Sequence, residues 1–294
     1  MHAFRTPLFL TQKDPPMPAT FTSGSPMRRA ILLGTLAAAA LAVMPAHAQS
    51  LDAIKARGTL LVGVQGDFPP WGFKNQSFEH VGYDIDVAQL MAQDLGVKLA
   101  LIDVTAANRI AFLQTGKVDL LAAAVGMYPD RAKAVQFSKP YATLDGVVYG
   151  RKADTIRESG DLAKRKVGVA RGSAADVALT KALPDATLMR FEDDAAPVQA
   201  LFSGQIDALG STNLIAMVLA KHPSGAQFEQ KFMFTRQYNG LASKLGDKEL
   251  NTWANAFVDR HLASGKLNAI SVKWTGAALP AMPAELAGVP FAVP

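Results

Sequence analysis

The stretch DLLAAAVGMYPDRAKAVQFSKPY, residues 119–141, decides the fold. It opens with an apolar run suited to a buried strand, breaks at Gly126 and turns through Pro129 and Asp130. It then leaves in an extended segment through Phe137, Ser138, Pro140 and Tyr141. The turn carries Arg131, whose planar fork of donors at the mouth of a sheet matches the two oxygens of a carboxylate. The competing reading of Arg131 is a surface ion pair with Asp130 or Asp145. Its place just after a strand end favours the carboxylate, and so a binding protein over a catalyst.

On either side of this stretch short strands alternate with helices, which predicts an α/β architecture with mostly parallel pairing. The first unit reads as strands over 60–64, 97–104 and 118–125, with helices over 83–95 and 107–115. Asp84 or Asp86 reads as the cap of the first helix and Gly96 as its stop. A second unit reads as strands over 167–170, 187–191 and 206–209, with helices over 174–183 and 195–202. The units echo each other: LQTGKVDLL (113–121) and LFSGQIDAL (201–209) share Leu, Gly, a β-branched residue, Asp and Leu in the same places, and Val-Gly-Val opens both, at 62–64 and 167–169. Two lobes of similar plan are expected. Ligands of α/β sheets sit beyond the carboxyl ends of the strands, so the loops at 65–71, 122–131, 170–174 and 210–213 are expected to line one cleft.

The 294 residues, 49% of them hydrophobic, allow one large domain or two ordinary ones. Met27-Arg28-Arg29, the apolar run 30–43 and Ala46-His47-Ala48 form a charged, apolar and small-residue series. That series reads as a secretory signal with its start at Met27 and cleavage after Ala48, rather than as an anchor, because 14 apolar residues are short for a span. Losing residues 1–48 removes Arg5, Lys13, Arg28 and Arg29 against Asp14, so the formal charge drops from +5 to +2. No basic cluster interleaved with aromatics points to nucleic acid. With no cysteine there is neither a disulfide nor a lipid-attachment site. His80, His222 and His261 are too scattered for a metal set and read as solvated positions. There is no G-x-S-x-G elbow, and Gly116-Lys117 runs into Val118, so no phosphate loop is present.

The sequence resembles the extracytoplasmic solute-binding proteins of polar amino-acid ABC importers, family 3. The likeness is carried by GTLLVGVQGDFPPWGF (58–73), GYDIDVAQLMAQDLGV (82–97), NRIAFLQTGKVDLLAAAVGMYPDRAKAVQFSKPY (108–141), KVGVARGSAAD (166–176) and FEDDAAPVQALFSGQIDAL (191–209). It implies the type II periplasmic-binding-protein fold, two doubly wound lobes joined by a two-segment hinge. Lobe 1 would be residues 51–144 plus 240–294 and lobe 2 residues 145–239, with the tail from 277 lying across the surface. It further implies a monomer free in the periplasm, a small-molecule ligand, and as partners an inner-membrane permease and its ATPase, with no cofactor and no metal.

Matched residue by residue, the resemblance places Arg131 on the ligand carboxylate. The backbones of Ala124, Gly126, Ser173 and Ala174 complete that site, and Phe68 stacks on the ligand. Gly126 stands where the family usually has Ser or Thr, and Ala106 where many members have a second aromatic. Thr212 stands where amino-acid binders usually carry an Asp for the ligand ammonium, so Asp67, Glu192 or another acid substitutes, or the ligand has no α-ammonium. Gln65 stands where binders of cationic side chains tend to have an acid, which disfavours lysine and arginine. Trp71 and Tyr128 read as pocket wall or as packed aromatics, and Asn108 as pocket wall or as a helix cap. The rival function on this fold is a periplasmic enzyme resembling cyclohexadienyl dehydratase, which needs an acid in the cleft as proton donor.

Overall fold

The computed structural model of the chain describes residues 51–183 and 187–293. The leader assigned to residues 1–48 lies outside them. The first part of the chain forms α1 (Leu51–Arg57), β1 (Thr59–Gln65), β2 (Asp67–Phe68), β3 (Gly72–Lys74), β4 (His80–Val81), α2 (Tyr83–Leu95), β5 (Lys98–Val104), α3 (Arg109–Gln114), β6 (Leu120–Leu121), α4 (Pro129–Ala132) and β7 (Val135–Arg151). Then follow β8 (Lys166–Ala170), α5 (Ala174–Ala182), β9 (Thr187–Phe191), α6 (Ala196–Ser203), β10 (Ala208–Thr212), α7 (Ala216–Leu219), β11 (Phe228–Lys244), α8 (Lys248–Ala263) and α9 (Lys266–Thr275).

Eight strands form one sheet in the order β5-β1-β6-β11-β7-β10-β8-β9, and β2-β3-β4 make a small second sheet. Pairing is parallel at both ends, β1 with β5 and β6, and β8 with β9 and β10. Between these ends β7 and β11 run antiparallel for 17 residues each. The far end of β11 meets β6 at Ala242 opposite Leu121, while β7 meets β10 from Gly146 to Gly150. Two parallel halves thus share one pair of long strands. Successive residues on a strand face opposite sides of a sheet, and the buried apolar residues sort accordingly. Leu120 joins one cluster and Leu121 another in the first half, and Val147 and Val148 are split in the same way in the second. Each half is therefore covered on both faces, as a doubly wound α/β sheet requires.

The repeated sequence has a direct structural meaning. Gly116 and Gly204 both sit at φ 75°, ending a helix in the left-handed conformation that glycine takes at no steric cost. Three residues later Asp119 Oδ2 accepts the Leu61 N–H at 2.8 Å, and Asp207 Oδ2 accepts the Lys166 N–H at 2.8 Å. The backbone N–H groups of the same two aspartates donate to the carbonyls of Leu61 and Lys166. In both halves, then, the Gly-x-β-branched-Asp junction pins the third strand to the first. Asp119 is also paired with Arg57.

Two expectations are corrected. The strand expected over 118–125 joins the ladder only at Leu120 and Leu121, because Ala124 takes a positive φ of 48° and turns the chain out of the sheet. Asp84 and Asp86 do not cap α2, whose N-cap is Gly82. Gly82 has φ 136°, and a Cβ there would lie 2.4 Å from the Trp71 carbonyl oxygen. Gly82→Ala is expected to destabilise the protein by at least about 2 kcal/mol, read as a lower midpoint in urea unfolding.

Candidate functional site

The carboxyl ends of the strands in both halves meet around a cavity of about 40 Å³, which holds only a few water molecules. Of the residues singled out in the sequence, Gln65, Phe68, Ala124, Ser173, Ala174 and Thr212 line it. Ala106 does too, and it lies against the other half, since a Cβ on Gly172 would meet the Ala106 carbonyl at 3.0 Å. Trp71, Asn108, Gly126, Tyr128 and Arg131 lie outside its lining. Trp71 is buried against Tyr83, with ring centroids 5.0 Å apart. Asn108 accepts the Thr105 N–H at 2.9 Å and makes no capping bond to α3. Gly126 and Arg131 sit beside the cavity rather than in its wall.

Arg131, on α4, is buried and bridges the halves. Its Nη1 donates to the Gly126 carbonyl at 3.1 Å and its Nη2 to the Gly172 carbonyl at 2.8 Å, with the guanidinium 5.2 Å from the centre of the Tyr128 ring. The surface ion pairs considered for it are not formed: Asp130 pairs with Lys133 and Lys181, and Asp145 with Arg236. Burial lowers the pKa of Arg131, yet it stays a cation at neutral pH. Its partners are neutral carbonyls, so among the described residues no carboxylate lies within ion-pair distance of it.

The charges in the cavity wall come from two residues the sequence reading passed over, Arg109 and Asp194. Arg109 Nη1 donates to the carbonyl of Ala123 and lies 3.5 Å from Gln65 Oε1, while its Nε has no partner although the residue is only 2% exposed. Gln65 donates in turn through Nε2 to Asp194 Oδ2 across the cleft. The Asp194 N–H donates to Asp67 Oδ2 at 2.7 Å, and the Ala195 N–H reaches the same oxygen at 3.3 Å. Burial and the neighbouring Asp67 push Asp194 up to about 7, against the pull of Arg109. Burial and the nearby Arg131 push Arg109 down to about 9, which leaves it charged at neutral pH. Asp67 is raised by the same desolvation. Glu192, an acid weighed from the sequence, is tied to Arg171 on the surface instead.

Asp84 supports this wall from behind. It is 1% exposed, accepts the Tyr141 hydroxyl at 2.6 Å and the Ala124 N–H at 2.8 Å, and so holds Ala124 in its left-handed turn at the cavity. Gln237 fills the space beside Gly126, where a Cβ would meet its Cδ at 2.6 Å. It accepts the Tyr128 hydroxyl and donates to Asn239 Oδ1. Contrary to expectation, His261 is buried and contacts Asp94. His80 pairs with Asp103, and His222 stacks on Phe202. No group of three potential metal ligands occurs among the described residues.

The sequence profile of the bacterial extracellular solute-binding proteins, family 3, matches residues 60–277. The chain belongs to this family. Among its relatives is the L-cystine-binding protein TcyJ of Escherichia coli K12, 31% identical over 85% of this chain and 96% of that protein. Another is the ABC transporter glutamine-binding protein GlnH of Bacillus subtilis 168, 32% identical over 76% of this chain and 84% of that protein. Among solved structures, the ancestral amino acid-binding protein AncCDT-1, described as a precursor of cyclohexadienyl dehydratase, is 35% identical. It superposes with a TM-score of 0.71 over 76% of this chain and 98% of its own. The fold is therefore that of the type II periplasmic binding proteins, and the chain is a solute-binding protein, not an enzyme. The family is extracellular, and no helix among the described residues is long and apolar enough to cross a membrane.

In this solute-binding protein the hydroxyl expected at the position of Gly126 has no room, because the Gln237 amide occupies the place. Thr212 lines the cavity without an acid at its own position, and Asp194 is the acid that the wall holds instead. The signal for Arg109 and Asp194 was present in the sequence. They follow the carboxyl ends of β5 and β9, the two sheet-edge strands whose loops were left out of the expected cleft.

Proposed function

We propose that the chain is the periplasmic receptor of an ABC importer and binds a small carboxylate-bearing solute, a polar amino acid or a close relative of one, between two hinged lobes. The lobes are residues 51–144 plus 240–294, and 145–239. The solute carboxylate replaces the Gly172 carbonyl on Arg131 and takes further N–H donors from Gly126, Ser173 and Ala174. The last two stand at the start of α5, where the helix end favours an anion; the Ala174 N–H is free among the described residues, whereas the Ser173 N–H donates to the Ala170 carbonyl at 3.1 Å and must turn from it to the solute. Phe68 covers one face of the solute. The closed, solute-loaded monomer is what a permease and its ATPase recognise. One observation carries this reading: a cavity walled by both sheet halves has beside it a buried guanidinium with no carboxylate partner among the described residues. The cystine and glutamine named for its relatives support the ligand class.

A thermal-shift screen of the common amino acids and small organic acids tests it. A true ligand at about 100 times its dissociation constant adds about 2.7 kcal/mol of stability, a clear rise in melting temperature. Indifference to the whole panel would refute the proposal. Asp194 is an acid in the cleft of the kind the rival dehydratase would need, but a binding protein should yield no aromatic product from prephenate or arogenate.

A further inference from the structure

We infer that Arg109 and Asp194 form a specificity subsite for a carboxamide carried at the end of the solute away from its carboxylate. The inference rests on the proposed function, since it presumes that Arg131 holds the carboxylate. Both residues line the cavity, one from each half of the sheet. Each keeps bonding capacity unused. Arg109 Nε has no partner, and among the described residues neither Arg109 Nη2 nor Asp194 Oδ1 makes a hydrogen bond.

A guanidinium offers only donors and a carboxylate only acceptors. A cation placed between them gains from Asp194 and loses to Arg109, and an anion does the reverse. A neutral group with an acceptor on one side and a donor on the other gains from both, and the primary amide is such a group. The protein already contains an instance: Gln65 turns its oxygen to Arg109 and its nitrogen to Asp194. The orientation follows from chemistry, because a flipped amide would set donor against donor at Arg109 and acceptor against carboxylate at Asp194. A solute amide entering beside Gln65 meets Arg109 Nη2 and Asp194 Oδ1, the donor and acceptor of the same pair left free among the described residues, where an unmatched buried polar group is costly.

The test compares solutes that share an α-amino-acid head, glutamine against glutamate and asparagine against aspartate, by titration calorimetry at pH 8 with wild type and Asp194→Asn. Wild type is expected to bind at least one amide at least tenfold more tightly than the matching acid. In Asp194→Asn that ratio is expected to fall at least tenfold, because the charge that repels the acid is gone. A wild-type preference for the acids, or a ratio that Asp194→Asn leaves unchanged, overturns the subsite and spares the proposed function. Binding of none of these solutes, nor of any other amino acid, overturns both. The wild-type ratio alone decides the matter if Asp194→Asn does not fold.

Discussion

Arg131→Ala is expected to raise the dissociation constant of the solute more than 100-fold. Two charge-assisted hydrogen bonds to one carboxylate are together worth roughly 3 kcal/mol, and 1.4 kcal/mol is a factor of ten. The same change removes the bond from Nη2 to the Gly172 carbonyl, one of the few that tie the two halves together across the cleft. Arg131→Lys separates the two effects. An ammonium can still reach a carbonyl but cannot present a two-pronged fork, so it should recover closure better than affinity. Calorimetry gives the affinity, and scattering of the loaded and unloaded protein gives the closure. If Arg131→Ala binds with near wild-type affinity, the carboxylate belongs elsewhere, and Arg109 is the guanidinium left to take it. The chemistry of the cavity would then run in the opposite direction, which makes this substitution the most informative one on the chain.

The architecture was legible because it rests on local rules that the sequence states twice. Helix, glycine stop, β-branched residue and aspartate recur at 113–121 and 201–209, and each copy performs the same stapling of third strand to first. The cleft was half legible. The strand-end rule found the loops of β1, β6, β8 and β10, and the family resemblance picked Gln65, Phe68, Ala124, Ser173 and Thr212 within them, but the rule was not carried to the edge strands, so Arg109 and Asp194 were missed. Other features were beyond such reading. That Arg131 turns to backbone carbonyls on both halves depends on how near Gly172 comes to Ala106, a distance set by packing across the cleft and by no motif. That Gln237 fills the space beside Gly126 depends on the register of β11, which carries several irregularities against β7. Asp84 was misread for a related reason. Near the start of a helix an aspartate usually caps or meets water, and only the tertiary fold brings Tyr141 and Ala124 to it.

That burial gives Asp84 a measurable signature in stability. Desolvation lifts its pKa from 3.8 to about 7, against the opposing pull of the Tyr141 hydroxyl, the Ala124 N–H and Arg109. The folded protein therefore holds a proton between about pH 4 and 7 that the unfolded chain has released. Its contribution to stability is complete below about pH 4 and is lost as the pH rises through 7. The span from 3.8 to about 7 corresponds to on the order of 4 kcal/mol, and Asp194 contributes in the same direction. Asp84→Asn imitates the protonated acid: its nitrogen donates to the Tyr141 oxygen while its oxygen accepts the Ala124 N–H. Wild type should lose melting temperature from pH 5 to pH 8 more steeply than this variant. The two should melt at similar temperatures near pH 4, with the variant already the more stable at pH 5 and clearly so at pH 8. Parallel curves would mean that Asp84 is ionised throughout and that its charge is matched by the field of Arg109. The cavity wall at Ala124 would then depend on an ion pair acting at a distance, not on a neutral hydrogen-bonded acid.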